Sequence, residues 1–168
     1  RPSSKVINFL LKMKMDKKFL KYVMTSGEAA MHAINQQKFG KTFFHLGPER
    51  DISVFEKVKD NRTDVYSCDF ILCTGLFDDY DNDLDYYKKF LLKHISKKLI
   101  CTNPDLIVHR GNVEELCAGS VAKVFEDLGG EVIYFGKPYE EIYNMCFRSN
   151  EKVLAIGDNL RTDIKGAN

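Results

Sequence analysis

Apolar positions recur along the chain in two alternating rhythms. Val6, Ile7, Leu10 and Leu11 follow Ser3 and Ser4 at helical spacing, so a helix capped by one of the serines is predicted. Leu20–Met24 is a short apolar run that predicts a strand. Thr25 and Glu28 form a capping box that opens an Ala-rich helix, which Gly40 is expected to close. Residues 42–46 and 69–74 read as buried strands, each ended by glycine, with a short helix over 52–58 between them. Leu84, Tyr87, Leu91 and Ile95 share one face of the strongest predicted helix, with Lys88, Lys89, Lys93, Lys97 and Lys98 mostly away from it. Strands at 99–102 and 106–109 flank Asn103-Pro104-Asp105, a turn that proline dictates. A helix with Val121, Phe125 and Leu128 inward stops at Gly129-Gly130. A strand over 131–135, a helix around Ile142 and Met145, and an all-apolar strand over 153–156 complete the series. Strand alternating with helix predicts an α/β fold with a largely parallel sheet.

Composition narrows the function more than the fold. Apolar residues at 44% can fill a core, and the formal net charge of +1 gives no electrostatic case for nucleic acid or an anionic membrane as partner. No apolar run approaches the roughly 20 residues of a membrane-spanning helix, and no signal peptide is read at the start of the sequence. The five cysteines lack any Cys-x-x-Cys pair, which fits free buried thiols in a reducing cytoplasm. Cys117 alone stands where a helix start would stabilise a thiolate. His32, His45, His94 and His109 are scattered, and neither a Gly-x-Ser-x-Gly elbow nor a P-loop is present.

The chemistry concentrates in residues 153–167. A buried parallel strand delivers its next residues to the carboxyl edge of the sheet, where α/β proteins bind ligands. Gly157 permits a tight turn there, Asp158 follows, and Asp163 stands near the next helix start. Two carboxylates at one such loop make a hard oxygen site that suits Mg²⁺. The same two residues also suit plain capping of a turn and a helix. Asp79-Tyr80-Asp81 imitates a catalytic or calcium loop, yet Leu84 and Phe90 replace the glycine and glutamate a calcium loop needs. That acidic run reads as a solvated loop.

Gly157-Asp158-Asn159-Leu160-Arg161-Thr162-Asp163-Ile164-Lys165-Gly166-Ala167 resembles the fourth motif of haloacid dehalogenase (HAD) hydrolases, in the form found in the subclass with a large α/β cap. Gly136-Lys137-Pro138 resembles the third motif. Asn103-Pro104-Asp105, Gly119-Ser120 and Thr25-Ser26-Gly27 fall where that subclass places cap and hinge elements. The resemblance implies a partial Rossmann-like HAD core over residues 1–26 and 131–168, with an inserted cap over 27–130 crossed at Thr25-Ser26-Gly27 and Gly129-Gly130. It implies Mg²⁺-dependent hydrolysis of a small phosphomonoester through an aspartyl-phosphate. Asp158 and Asp163 would then hold or support the metal, and Lys137 would neutralise the phosphoryl group. Gly136, Gly157 and Asn159 would shape the phosphate-site loops, and Asn103, Asp105, Gly119 and Ser120 would meet the leaving group.

The family's first motif, Asp-x-Asp-Gly, does not occur in the sequence, and Arg1-Pro2 resembles the tail of the segment after the second motif. The expectation is therefore a chain cut from a longer enzyme, inactive alone, with a non-catalytic binding protein as the alternative. Caps of this subclass often pair, so a homodimer through the cap is the oligomer the resemblance implies.

Overall fold

The computed structural model describes residues 1–148 and 150–168. Four short strands form a parallel sheet: β1 (Phe43–Leu46), β2 (Phe70–Cys73), β3 (Lys98–Cys101) and, last in the chain, β6 (Glu131–Tyr134), in the spatial order β1-β2-β3-β6. Registers run without slip, Phe70 pairing with Phe43 and with Lys98, and Cys101 with Tyr134. β4 (Ile107–Arg110) and β5 (Val113–Leu116) make a separate antiparallel hairpin.

The period of two along a strand divides the core between the two faces of the sheet. Ile71, Cys73, Leu99 and Cys101 point to one side, where α3 (Leu84–Leu92) contributes Tyr87 and Leu91 and α4 (Ala118–Asp127) contributes Val121 and Phe125. Phe70, Leu72 and Ile100 point to the other, against Ala30 and Ile34 of α2 (Ser26–Asn35) and Ile142 of α5 (Glu140–Asn144). Both faces are covered, which is why β2 is apolar at every position instead of alternating. The predicted α/β class with a parallel sheet is the one observed.

Several expected elements differ. The Leu20–Met24 strand is absent: a 3-10 turn covers Lys17–Leu20, and no described strand offers residues 20–24 an edge to pair with. The expected strand at 153–156 is likewise without a described neighbour, and Leu154 and Ile156 stand 84% and 89% exposed. Apolarity alone does not make a strand when nothing takes its backbone hydrogen bonds. A first helix, α1 (Ser3–Lys12), forms as predicted, but Pro2 occupies the cap position and Ser3 Oγ instead donates to Glu28 Oε1 (2.7 Å). No residue of α1 is buried. α2 stops at Asn35, short of Gly40, and Gln37 takes the left-handed turn (φ +54°). The helix over 52–58 resolves into two 3-10 segments, Glu49–Val54 and Glu56–Asn61.

Gly129 and Gly130 end α4, their N–H groups donating to Glu126 and Phe125 carbonyls. β6 follows at once and joins β3, so residues 131–134 lie in the sheet built from the segment expected as cap. The chain leaves that sheet at Gly136, six residues past the crossing expected at Gly129-Gly130.

Candidate active site

Parallel strands bring their carboxyl ends to one rim, and the loops there carry the site. Each strand hands its next residue to its neighbour: Thr74 N–H donates to Leu46 O, Thr102 N–H to Cys73 O, and Phe135 N–H to Cys101 O (2.8–3.0 Å). Beyond Phe135 the backbone turns at Gly136, whose φ of +119° is a conformation L side chains rarely adopt. A Cβ there would stand 2.9 Å from both Pro104 Cδ and Ser26 Cβ. Three loops therefore meet at this glycine, and Lys137 is the next side chain out.

Lys137 Nζ forms an ion pair with Asp163 Oδ1, joining the two motifs across 26 positions of sequence. Asp163 is only 12% exposed at its side chain, and its second oxygen accepts from Asn159 N–H (3.2 Å). Asn159 Oδ1 in turn accepts from Arg161 N–H (2.9 Å) and caps a π turn over Leu160–Ile164, which runs into α6 (Lys165–Ala167). The Lys137 ammonium and the Asn159 N–H hold the Asp163 carboxyl below the usual carboxylate range. Gly157 lies so close to Asp163 that a Cβ would overlap the carboxylate. Asp158 is exposed. Thr162, between them, is buried.

The residues expected to meet a leaving group fall nearby. Asn103 Oδ1 accepts from Asp105 N–H (3.3 Å), closing the turn around Pro104. Burial pushes the Asp105 carboxyl up, against the pull of Lys137. Gly119 lies against the Pro104 and Asp105 carbonyls, donating its N–H to Asp105 O (3.1 Å). Ser120 is buried and its hydroxyl donates to Leu106 O (2.6 Å), tying α4 to the start of the hairpin. A cavity of about 350 Å³ opens between Lys137, Asn103, Asp105 and Thr162, with Met24, Tyr143 and Cys146 on its wall. Tyr143 and Cys146 carry no sequence signal beyond helical spacing; Tyr143 reaches the site because its hydroxyl rests on Gly166.

The cysteines are all free. Burial pushes the Cys101 thiol up to about 12, and burial followed by Asp105 raises Cys117, so the helix start there holds a thiol and not a thiolate. Of the acidic run, Asp83 caps α3 by accepting from Tyr86 N–H (2.9 Å), and Asp78 pairs with Arg50 (2.5 Å). Among the described residues no group of three or more His, Cys, Asp and Glu side chains gathers as a metal cluster. The donors that the Asp158–Asp163 loop does offer are carboxylate oxygens, the type that suits Mg²⁺.

No protein-family profile and no curated protein matches the sequence. Among solved structures, a hydrolase of the haloacid dehalogenase-like family from Brucella suis 1330 superposes with a TM-score of 0.76 at 32% identity, covering 86% of this chain and 59% of that one. The chain is thus similar in sequence and fold to a haloacid dehalogenase-like hydrolase. NagD from E. coli K-12 (TM-score 0.66, 24% identity) and a p-nitrophenyl phosphatase from Archaeoglobus fulgidus (0.69, 16%) share its fold, each over 99% of this chain. The chain spans 59–65% of the length of these three proteins.

Proposed function

We propose that this HAD-like chain is part of a Mg²⁺-dependent hydrolase of a small phosphomonoester. The observation that carries the reading is the Lys137–Asp163 pair beside Asp158, set at the carboxyl rim of a parallel sheet. In this reading Asp158 and Asp163 hold the metal, which supplies electrostatic relief for an anionic nucleophile approaching an anionic phosphate. Lys137 leaves Asp163 to meet the phosphoryl oxygens as a compact point charge. Gly136, Gly157 and Asn159 keep these loops tight, and Asn103, Asp105 and the α4 start around Gly119 and Ser120 face the leaving group. Residues 27–135 act as the cap that excludes water. The nucleophilic aspartate, which would form an aspartyl-phosphate, lies outside the 168 residues.

The partner is a small phosphorylated metabolite rather than nucleic acid or a membrane. A reducing cytoplasm, supported by the free cysteines, is the proposed setting, and pairing through the cap is the proposed assembly. The alternative reading is a binding protein that keeps the fold without catalysis.

The test uses the longer protein that contains this chain, with p-nitrophenyl phosphate as substrate. Turnover should require Mg²⁺ and vanish on chelation, and Asp158→Asn should lower kcat by about a hundredfold or more. Undiminished Mg²⁺-dependent turnover in a folded Asp158→Asn protein would sink the site assignment. An absence of turnover in the unaltered protein would leave the binding reading.

A further inference from the structure

A second cavity, of about 680 Å³, lies against the Lys137 cavity, and Pro104, Asp105 and Thr162 line both. Its wall is flat and largely apolar: Tyr139 stacks on Tyr134 with ring centroids 4.9 Å apart and planes 5° apart. The π turn after Asn159 brings Arg161 and Lys165 to the same cavity. Among the described residues neither of these cations enters an ion pair. Lys123, a third cation on the rim, is held by Glu126 (3.0 Å) and Asp127 (2.8 Å), which also occupies the Glu126 carboxylate. The remaining acid is Asp105, and among the described residues it forms no ion pair with Arg161 or Lys165. The chamber beside Lys137 therefore holds two cations without an ion-pair partner among the described residues, together with an aromatic wall.

We propose that Arg161 and Lys165 form a second anion subsite, so that the phosphomonoester taken by this site bears another negative group, such as a carboxylate, on its leaving group. The guanidinium fork and the ammonium are the side chains suited to that recognition. The inference rests on the phosphatase reading above and names the substrate class within it.

Calorimetric titration of the longer protein without Mg²⁺, where turnover does not interfere, compares phenyl phosphate with 4-carboxyphenyl phosphate. The carboxylated ester should bind about tenfold tighter, in keeping with one added charge-assisted contact at a half-open site. Replacing Arg161 and Lys165 together by Ala should bring the two affinities to within about twofold, while Arg161→Lys alone keeps part of the preference. Both side chains are exposed, so the fold should survive, and circular dichroism verifies it. Equal affinities in the unaltered protein, a preference that survives both substitutions, or no binding of either ester overturns the subsite. Mg²⁺-dependent turnover of phenyl phosphate in the same preparation reads the phosphatase assignment separately. Preference without turnover rejects the hydrolase and keeps the subsite; turnover without preference does the reverse.

Discussion

Gly136 takes a left-handed conformation while touching Pro104 and Ser26, so it has neither the backbone freedom nor the space for a side chain. Gly136→Ala should cost about 1–3 kcal/mol, measured as a lowered urea midpoint at constant slope. His45 makes a different kind of demand. Its ring is 1% exposed, lies 4.5 Å from the Phe55 centroid, and has Nε2 2.9 Å from Thr74 Oγ1, while Nδ1 is buried without a hydrogen-bond partner. Burial first, and Arg62 second, lower its pKa from 6.5 to about 4. The unfolded imidazole therefore takes up a proton more readily than the folded one. Stability is fully retained above about pH 6.5 and falls as the pH drops toward 4, by at most about 3 kcal/mol. His45→Gln should flatten that part of the pH profile relative to the unaltered chain, as read by denaturant unfolding between pH 7 and 4. Parallel profiles would show that His45 does not titrate on unfolding.

At the scale of elements, the best-specified start is that of α2, where Glu28 N–H donates to Thr25 Oγ1 (3.2 Å). Thr25→Ala should cost about 1 kcal/mol, seen as a lower thermal midpoint, with Thr25→Ser close to neutral. That cap was legible in the sequence because it is local. So were β1, β2, β3 and β6, which are apolar runs closed by turn residues, and the inward faces of α3 and α4. Elements that depend on a distant partner were not legible. Leu20–Met24 and Val153–Ile156 have the composition of strands but no described strand beside them. β5 was missed for the opposite reason: Val-Glu-Glu-Leu looks polar, although Gly111-Asn112, with Gly111 at φ +62°, is a two-residue hairpin signal. In the candidate site, Lys137, Asp158 and Asp163 were singled out by the two motifs that carry the resemblance, and the fold brings Lys137 and Asp163 together. Arg161, Lys165 and Tyr143 were not, because only the folded loop sets them around the two cavities.

The molecule as a whole divides into a covered sheet and open flanks. The sheet has helices on both faces, whereas Phe9, Met13 and Phe19 near α1, and Leu154, Ile156 and Leu160 before α6, stand exposed. Among the described residues no helix is long and apolar enough to cross a membrane. The meeting of Ser26, Pro104 and Gly136 lies where these regions join. A helix start and two loops that abut at one glycine cannot shift independently: a displacement of the Asn103–Asp105 turn is passed through Pro104 to Gly136, and one residue later to Lys137. The contact is thus a pivot, and the reach of Lys137 toward Asp163 is geared to the posture of the Asn103–Asp105 turn.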